Sequence, residues 1–213
     1  MCLAAAGTAN AQLGGLGSML GSAKSGGNAG GDLSGDVSAF ITKSAALSAL
    51  AGQSVTAINA AFASDTELAA KRAKLADVAA ITDPKEKAAK FAELYKSEQA
   101  EAQTRLDSGE MEKRIGSLSS EKKKMIGNAL LNFAIGSLQA VDLTKSGQSL
   151  IQKAGANPMN LPKIVPVKDS LPLLSKVASD TGSFFVGVMK IAKGANISVP
   201  QVTAESKSVD FSV

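Results

Sequence analysis

The sequence predicts an all-α protein, an elongated bundle of about five helices with a Pro-rich extended crossover before the last one. Composition is the first observation behind this expectation. Of the 213 residues 45% are hydrophobic, but alanine dominates that fraction and aromatic residues make up only 4%. Alanine and leucine favour helix, whereas strands favour β-branched and aromatic side chains. Second, apolar residues recur at three- and four-residue spacing, the period of one helical face. Third, helix start signals recur along the chain, as serine or aspartate followed three residues later by glutamate.

Taken in order, residues 1–11 read as the remnant of a secretory signal. Small apolar residues run into Ala9-Asn10-Ala11, an A-x-A cleavage pattern before Gln12. Export from a bacterium to the periplasm or beyond follows from that reading. It would remove Cys2, the single cysteine, and leave a mature chain without disulfides. Residues 12–36 are Gly- and Ser-rich and read as a flexible leader, with Leu13, Leu16, Met19 and Leu20 as a small apolar foot. Their glycines do not make a phosphate loop. Gly15, Gly17 and Gly21 miss the G-x-G-x-x-G spacing, and Ala23-Lys24-Ser25 lacks the required glycine.

The bundle domain is expected over residues 37–194. A first helix should run from Ser34–Asp36 to about Ala63, with Val37, Phe40, Ile41, Leu47, Leu50, Val55, Ile58 and Phe62 as its apolar stripe. Ala45, Ala46, Ala49 and Gly52 allow a second helix to approach closely. The capping signals Ser64-x-x-Glu67 and Asp83-Pro84-x-Glu86 open helices expected at 65–81 and 84–107. Phe91, Leu94, Glu98, Ala102 and Leu106 trace the inward face of the latter, with Glu98 its polar exception. Gly109 breaks the pattern, and Met111–Leu118 reads as a short turn or helix.

The central helix is expected from Glu121 to Ala154, capped by Ser119 or Ser120. Ile126, Leu130, Phe133, Ser137, Leu138 and Val141 form its main inward face, and Leu131, Ala134 and Ile135 extend it. Pro158, Pro162 and Pro166, four residues apart, predict an extended strap rather than helix. Such a strap would travel back along the bundle, burying Leu161, Ile164, Val165 and Val167 and setting the last helix nearly parallel to the central one. That last helix is expected from Ser170 to Gly194, followed by a loose tail over 195–213.

Function is bounded more by what is missing. The chain has no histidine, which removes Ser-His-Asp and Cys-His activation and the Glu-x-x-His ligands of di-iron bundles. No metal site, cofactor site or catalytic constellation is expected. Ser119-x-x-Lys122, Ser120-x-x-Lys123 and Lys145-Ser146-Gly147 echo serine β-lactamase motifs without the sheet those motifs need. The carboxylates Glu98, Glu101, Asp107, Glu110 and Glu112 are interleaved with basic residues and read as a solvated face. A net charge of +4 spread among both signs gives no nucleic-acid patch. No uninterrupted apolar run of about 18 residues predicts a transmembrane span.

One apolar stretch stands out. Ser179, Ser183 and Gly187 form a small-residue ridge beside Phe184, Phe185, Val188 and Met189. The ridge is expected to nest against Gly127, Gly136 and Ala140 of the central helix. Phe184, Phe185, Val188 and Met189 are also the candidate contact for a lipid, an apolar ligand or a membrane. The sequence therefore predicts an exported, non-catalytic bundle acting as a scaffold or as a module that binds a protein partner or ligand. The alternative is a membrane-active helical protein using its apolar last helix.

Overall fold

The computed structural model describes residues 33–199, 201–202 and 206–209, and the secondary structure among them is entirely helical. The expected signal remnant and the leader up to residue 32 lie outside the described residues. The helices are α1 (Leu33–Phe62), α2 (Asp65–Ala80), α3 (Pro84–Asp107), α4 (Glu110–Ile115), α5 (Ser120–Gly155), α6 (Val165–Asp180) and α7 (Val186–Gly194). A 3₁₀ segment, Pro158–Ile164, leads into α6, and a π turn, Thr181–Phe185, joins α6 to α7. An all-α bundle is what this chain forms.

Local chemistry sets the helix starts. Ser64 and Glu67 close a reciprocal capping box on α2. The Glu86 N–H donates to the Asp83 carboxylate at 2.7 Å at the start of α3. The Lys122 N–H donates to the Ser119 hydroxyl at the start of α5. Each cap satisfies a backbone donor that the first helical turn leaves unpaired. Gly109, at φ 70°, makes the left-handed turn between α3 and α4, a conformation that suits a residue without Cβ.

Packing partners fix the directions. Phe40 lies over Gly147 and Leu50 over Gly136, so α1 and α5 run antiparallel. Phe91 approaches Gly52 and Glu98 meets Asn59, so α3 runs parallel to α1. A Cβ on Gly52 would stand 3.3 Å from the Phe91 carbonyl oxygen, the close approach expected there. Between them α2 returns on the outside. Its one buried residue is Lys71, and Leu75 and Val78 rest on Ala49, Phe91 and Leu94.

The crossover departs from the sequence expectation. It is not an extended strap but a 3₁₀ turn passing directly into α6, which starts at Val165 rather than Ser170. Pro158 and Pro166 open new helical segments, where a proline loses nothing because the N–H would be unpaired anyway. Pro162 sits inside the 3₁₀ turn. At about 2.0 Å per residue such a turn spans roughly 14 Å, far short of the length of α5. The chain therefore reverses locally. Leu171 meets Gly147, Ala178 faces Ser137, and Phe184 reaches Phe133, so the last helices run antiparallel to α5 and not parallel to it. Ile164 and Val167 are buried as expected, whereas Leu161 and Val165 are exposed.

Further differences concern faces and the tail. Leu138 and Val141 of α5 are 55% and 42% exposed, because the residue opposite them is the small Ala178. The expected ridge does not nest against α5. Ser179 and Ser183 are exposed, Gly187 takes the Leu106 side chain of α3, and Gly127 takes the backbone at Ser198. Among the described residues of the tail, Ile197 is buried and Val202 and Val209 pack on Leu50, Leu131 and Ile135.

Candidate functional site

A cleft opens where α1, α3 and α6 run side by side near their N-terminal ends. Ile41, Ala45, Ala88, Ala89, Ala92, Pro166 and Leu173 wall a cleft of about 290 Å³. The cause is legible in the residues. Three parallel helices converge here, and α1 and α3 present alanine, whose methyl groups cannot fill the space between axes. Ser44, Ser48 and Ser170 supply the polar lining. The Ser48 and Ser170 hydroxyls donate to the carbonyls of Ser44 and Pro166, at 2.7 and 2.9 Å. Their oxygens therefore remain available as acceptors. Lys85 and Asp169, both exposed, line the same cleft with one charge of each sign. An apolar trough with a charged edge can hold a hydrocarbon group while its polar end stays in water.

The residues singled out in the sequence lie elsewhere. Phe184 and Val188 are buried, while Phe185 and Met189 are half-buried. Phe133 gathers both phenylalanines. The Phe184 ring meets it edge-on at 6.0 Å and the Phe185 ring stacks at 5.8 Å. These are favourable aromatic geometries, and the π turn, wider than an α turn, lets two consecutive residues reach one ring. Phe184 and Phe185 therefore join a core cluster, and none of Phe184, Phe185, Val188 and Met189 lines the cleft.

Two buried polar groups were only partly legible. Tyr95, which carries no local sequence signal, is fully buried and donates its hydroxyl hydrogen bond to the Asp180 carboxylate. Burial first, then the Asp180 hydrogen bond and charge, push the Tyr95 phenol far above its ordinary value. Lys176 bridges Asp180 and Gln99 at 3.1 and 3.3 Å. Glu98 accepts from the Lys71 ammonium at 2.7 Å and from the Asn59 amide at 2.8 Å. Burial pushes the neighbouring Glu101 carboxyl up, but Lys71 and Arg105 outweigh it and hold the group below its ordinary range. Both clusters tie helices together. No group of acidic or cysteine side chains suited to a metal ion occurs among the described residues.

By length and composition, α1 could cross a membrane, a property that a search for uninterrupted apolar runs misses. Of its most apolar window 89% is buried in the bundle. Within α1 the hydroxyls of Ser48, Ser54 and Thr56 donate to carbonyls four residues back, which satisfies them without outside partners. No protein-family model, curated protein or solved structure matches the chain.

Proposed function

We propose that this protein is an exported, non-catalytic binding module that holds an apolar ligand in the cleft between α1, α3 and α6. The observation that carries the reading is the cleft itself, walled by alanine methyls and edged by Lys85 and Asp169. Its volume of about 290 Å³ lies at the small end of ligand pockets, which begin near 300 Å³. A short hydrocarbon chain or a ring fits that space better than a peptide. The export half of the proposal rests on Ala9-Asn10-Ala11 and predicts a mature chain starting at Gln12.

Binding of a fluorescent fatty acid, displaced by unlabelled fatty acid, tests the cleft. Ala88→Phe places a ring in it and should abolish that binding while leaving the melting temperature nearly unchanged. Undiminished binding by the variant would overturn the assignment. A membrane-active role would require α1 or the last helices to leave the core, and leakage of vesicles at neutral pH would favour it.

A further inference from the structure

Of the six large apolar side chains left exposed among the described residues, three fall within seven positions of the crossover between α5 and α6. They are Met159, Leu161 and Val165, at 83%, 44% and 50% exposure. The 3₁₀ turn explains their arrangement. With three residues per turn, side chains at i and i+3 stand in one row. Met159, Pro162 and Val165 therefore share a ridge, and all three are exposed. Ile164 and Val167, both fully buried, pin the base of that ridge to the bundle. Positive charge gathers around the same turn. Residues 143–179 hold five lysines against one carboxylate, Asp169, an excess of four. The whole chain carries +4, so the rest of it is neutral. Lys176 is engaged by Asp180, and Lys153 lies 3.8 Å from Asp36. Lys163 and Lys168, on either side of Val165, are exposed and form no ion pair among the described residues.

We propose that this turn docks the protein onto a bilayer surface that carries anionic lipid. Met159 and Leu161 enter between the headgroups, and Lys163 and Lys168 rest on the lipid phosphates. Apolar side chains edged by lysine suit the boundary between headgroups and acyl chains. Charge and area together select this occupant. A second copy of the chain would bring the same positive excess to the contact. Three apolar side chains also cannot supply the roughly 800 Å² per partner that a stable dimer buries. A bilayer needs neither a matching shape nor so large an area, and its negative surface complements the lysines. The contact is made by residues already exposed, so no helix has to leave the core. Pro166 and Asp169, in the same stretch, line the cleft. Docking would therefore hold the cleft beside a source of hydrocarbon chains, although the contact itself does not depend on the cleft.

Flotation of the full chain with vesicles tests the proposal, with dye entrapped in the vesicles to report leakage. The wild type should float with an equal mixture of phosphatidylcholine and phosphatidylglycerol, release no dye, and bind phosphatidylcholine alone far more weakly. Met159→Ser/Leu161→Ser should weaken binding to the mixture roughly tenfold or more. Lys163→Gln/Lys168→Gln should weaken it roughly fivefold per lysine, while Lys163→Arg/Lys168→Arg should retain it. All of these positions are exposed, so the melting temperature should stay put. Ala88→Phe, which fills the cleft, should float like the wild type, so a failure of the cleft assignment and a failure of docking are distinguishable. No flotation with the mixture, or flotation indifferent to Met159→Ser/Leu161→Ser, would overturn the docking turn. Equal binding to phosphatidylcholine alone would overturn the anionic surface, and dye release would overturn docking from outside the bilayer. A concentration-dependent dimer that Met159→Ser/Leu161→Ser abolishes would make a second copy the occupant and overturn the lipid assignment.

Discussion

Lys71→Met should destabilise the protein by about 3 kcal/mol at neutral pH, the low end of the cost of breaking a buried ion pair. The magnitude follows from how unequal its two partners are. Lys71 is 6% exposed and its ammonium lies 2.7 Å from Glu98, which is 2% exposed, and 2.8 Å from Glu101. The Glu101 side chain is 37% exposed, so water screens it and its share is about 0–1 kcal/mol. Glu98 decides the result, because methionine leaves its buried carboxylate with the Asn59 amide alone. For a chain of this length the loss corresponds to roughly 6–12 °C in melting temperature. The double variant Lys71→Met/Glu98→Leu should recover much of it, since two apolar side chains of similar volume can replace a buried pair at little net cost. Lys74→Met, on the exposed side of α2, is the control and should shift stability by less than about 0.5 kcal/mol. Urea and thermal unfolding of the wild type and these variants measure all three. If Lys71→Met matched the control, or the double variant were no more stable than the single, the pair would not be what fastens α2.

Tyr95 is the one tyrosine in a chain without tryptophan, so ultraviolet difference absorbance follows it alone. Its folded-state pKa lies above the ordinary 10.0, so its contribution to stability is complete below that pH and is lost as pH rises further. Phenolate should therefore appear only with unfolding, and Tyr95→Phe should weaken the alkaline fall in melting temperature. Phenolate in a still-folded chain would refute the burial. Gly127→Ala meets a backbone carbonyl and Gly187→Ala meets the movable end of Leu106. The first should cost about 1–3 kcal/mol by overpacking, while helix propensity of about 1 kcal/mol offsets most of the second. Equal melting shifts would show that the tail does not rest on Gly127. A spin label at Lys145 should lie near one at Ser175 and far from one at Lys193, as the antiparallel pairing of α5 and α6 requires; the reverse order would restore the parallel arrangement.

Most helices were legible because their signals are local. The Ser64–Glu67 box, Asp83 before Pro84, Ser119, and the stripe from Val37 to Phe62 each act within one or two turns, and each ends up where its own chemistry puts it. Glu98 reads both as the polar exception on an inward face and as part of a solvated carboxylate face, and at 2% exposure it belongs to the first and not the second. Its partner Lys71 was not legible, because i,i+4 spacing pairs Lys71 with Glu67, whereas the fold brings it to Glu98 across helices. The cleft was illegible for a related reason. Ala45, Ala88 and Ala89 are ordinary helix formers, and only the convergence of three helices turns their small size into an opening.

The crossover and the tail misled for opposite reasons. At Pro158, Pro162 and Pro166 the effect of proline depends on where in a helix each one falls. Proline is excluded from helix interiors and favoured in first turns, so prolines four apart fit successive short starts as well as an extended strap. Pro172 goes further and lies inside α6, with both Pro172 and Lys168 exposed, so the Lys168 carbonyl it frees can turn to water. The tail alternates only Ile197 and Val199 before turning polar, too short a pattern to predict more than a loose end, yet its contacts are written in α5. Asn132 lies in the run ALLNFAIG, amid residues that are buried. A buried amide must find partners, and helical backbone around it has none to spare. An asparagine in that position therefore implies a second chain segment lying across the helix. Gly127, a little over one turn earlier, marks where that segment's backbone comes closest. Read together, the two residues predict a strap over α5 without any signal from the strap itself.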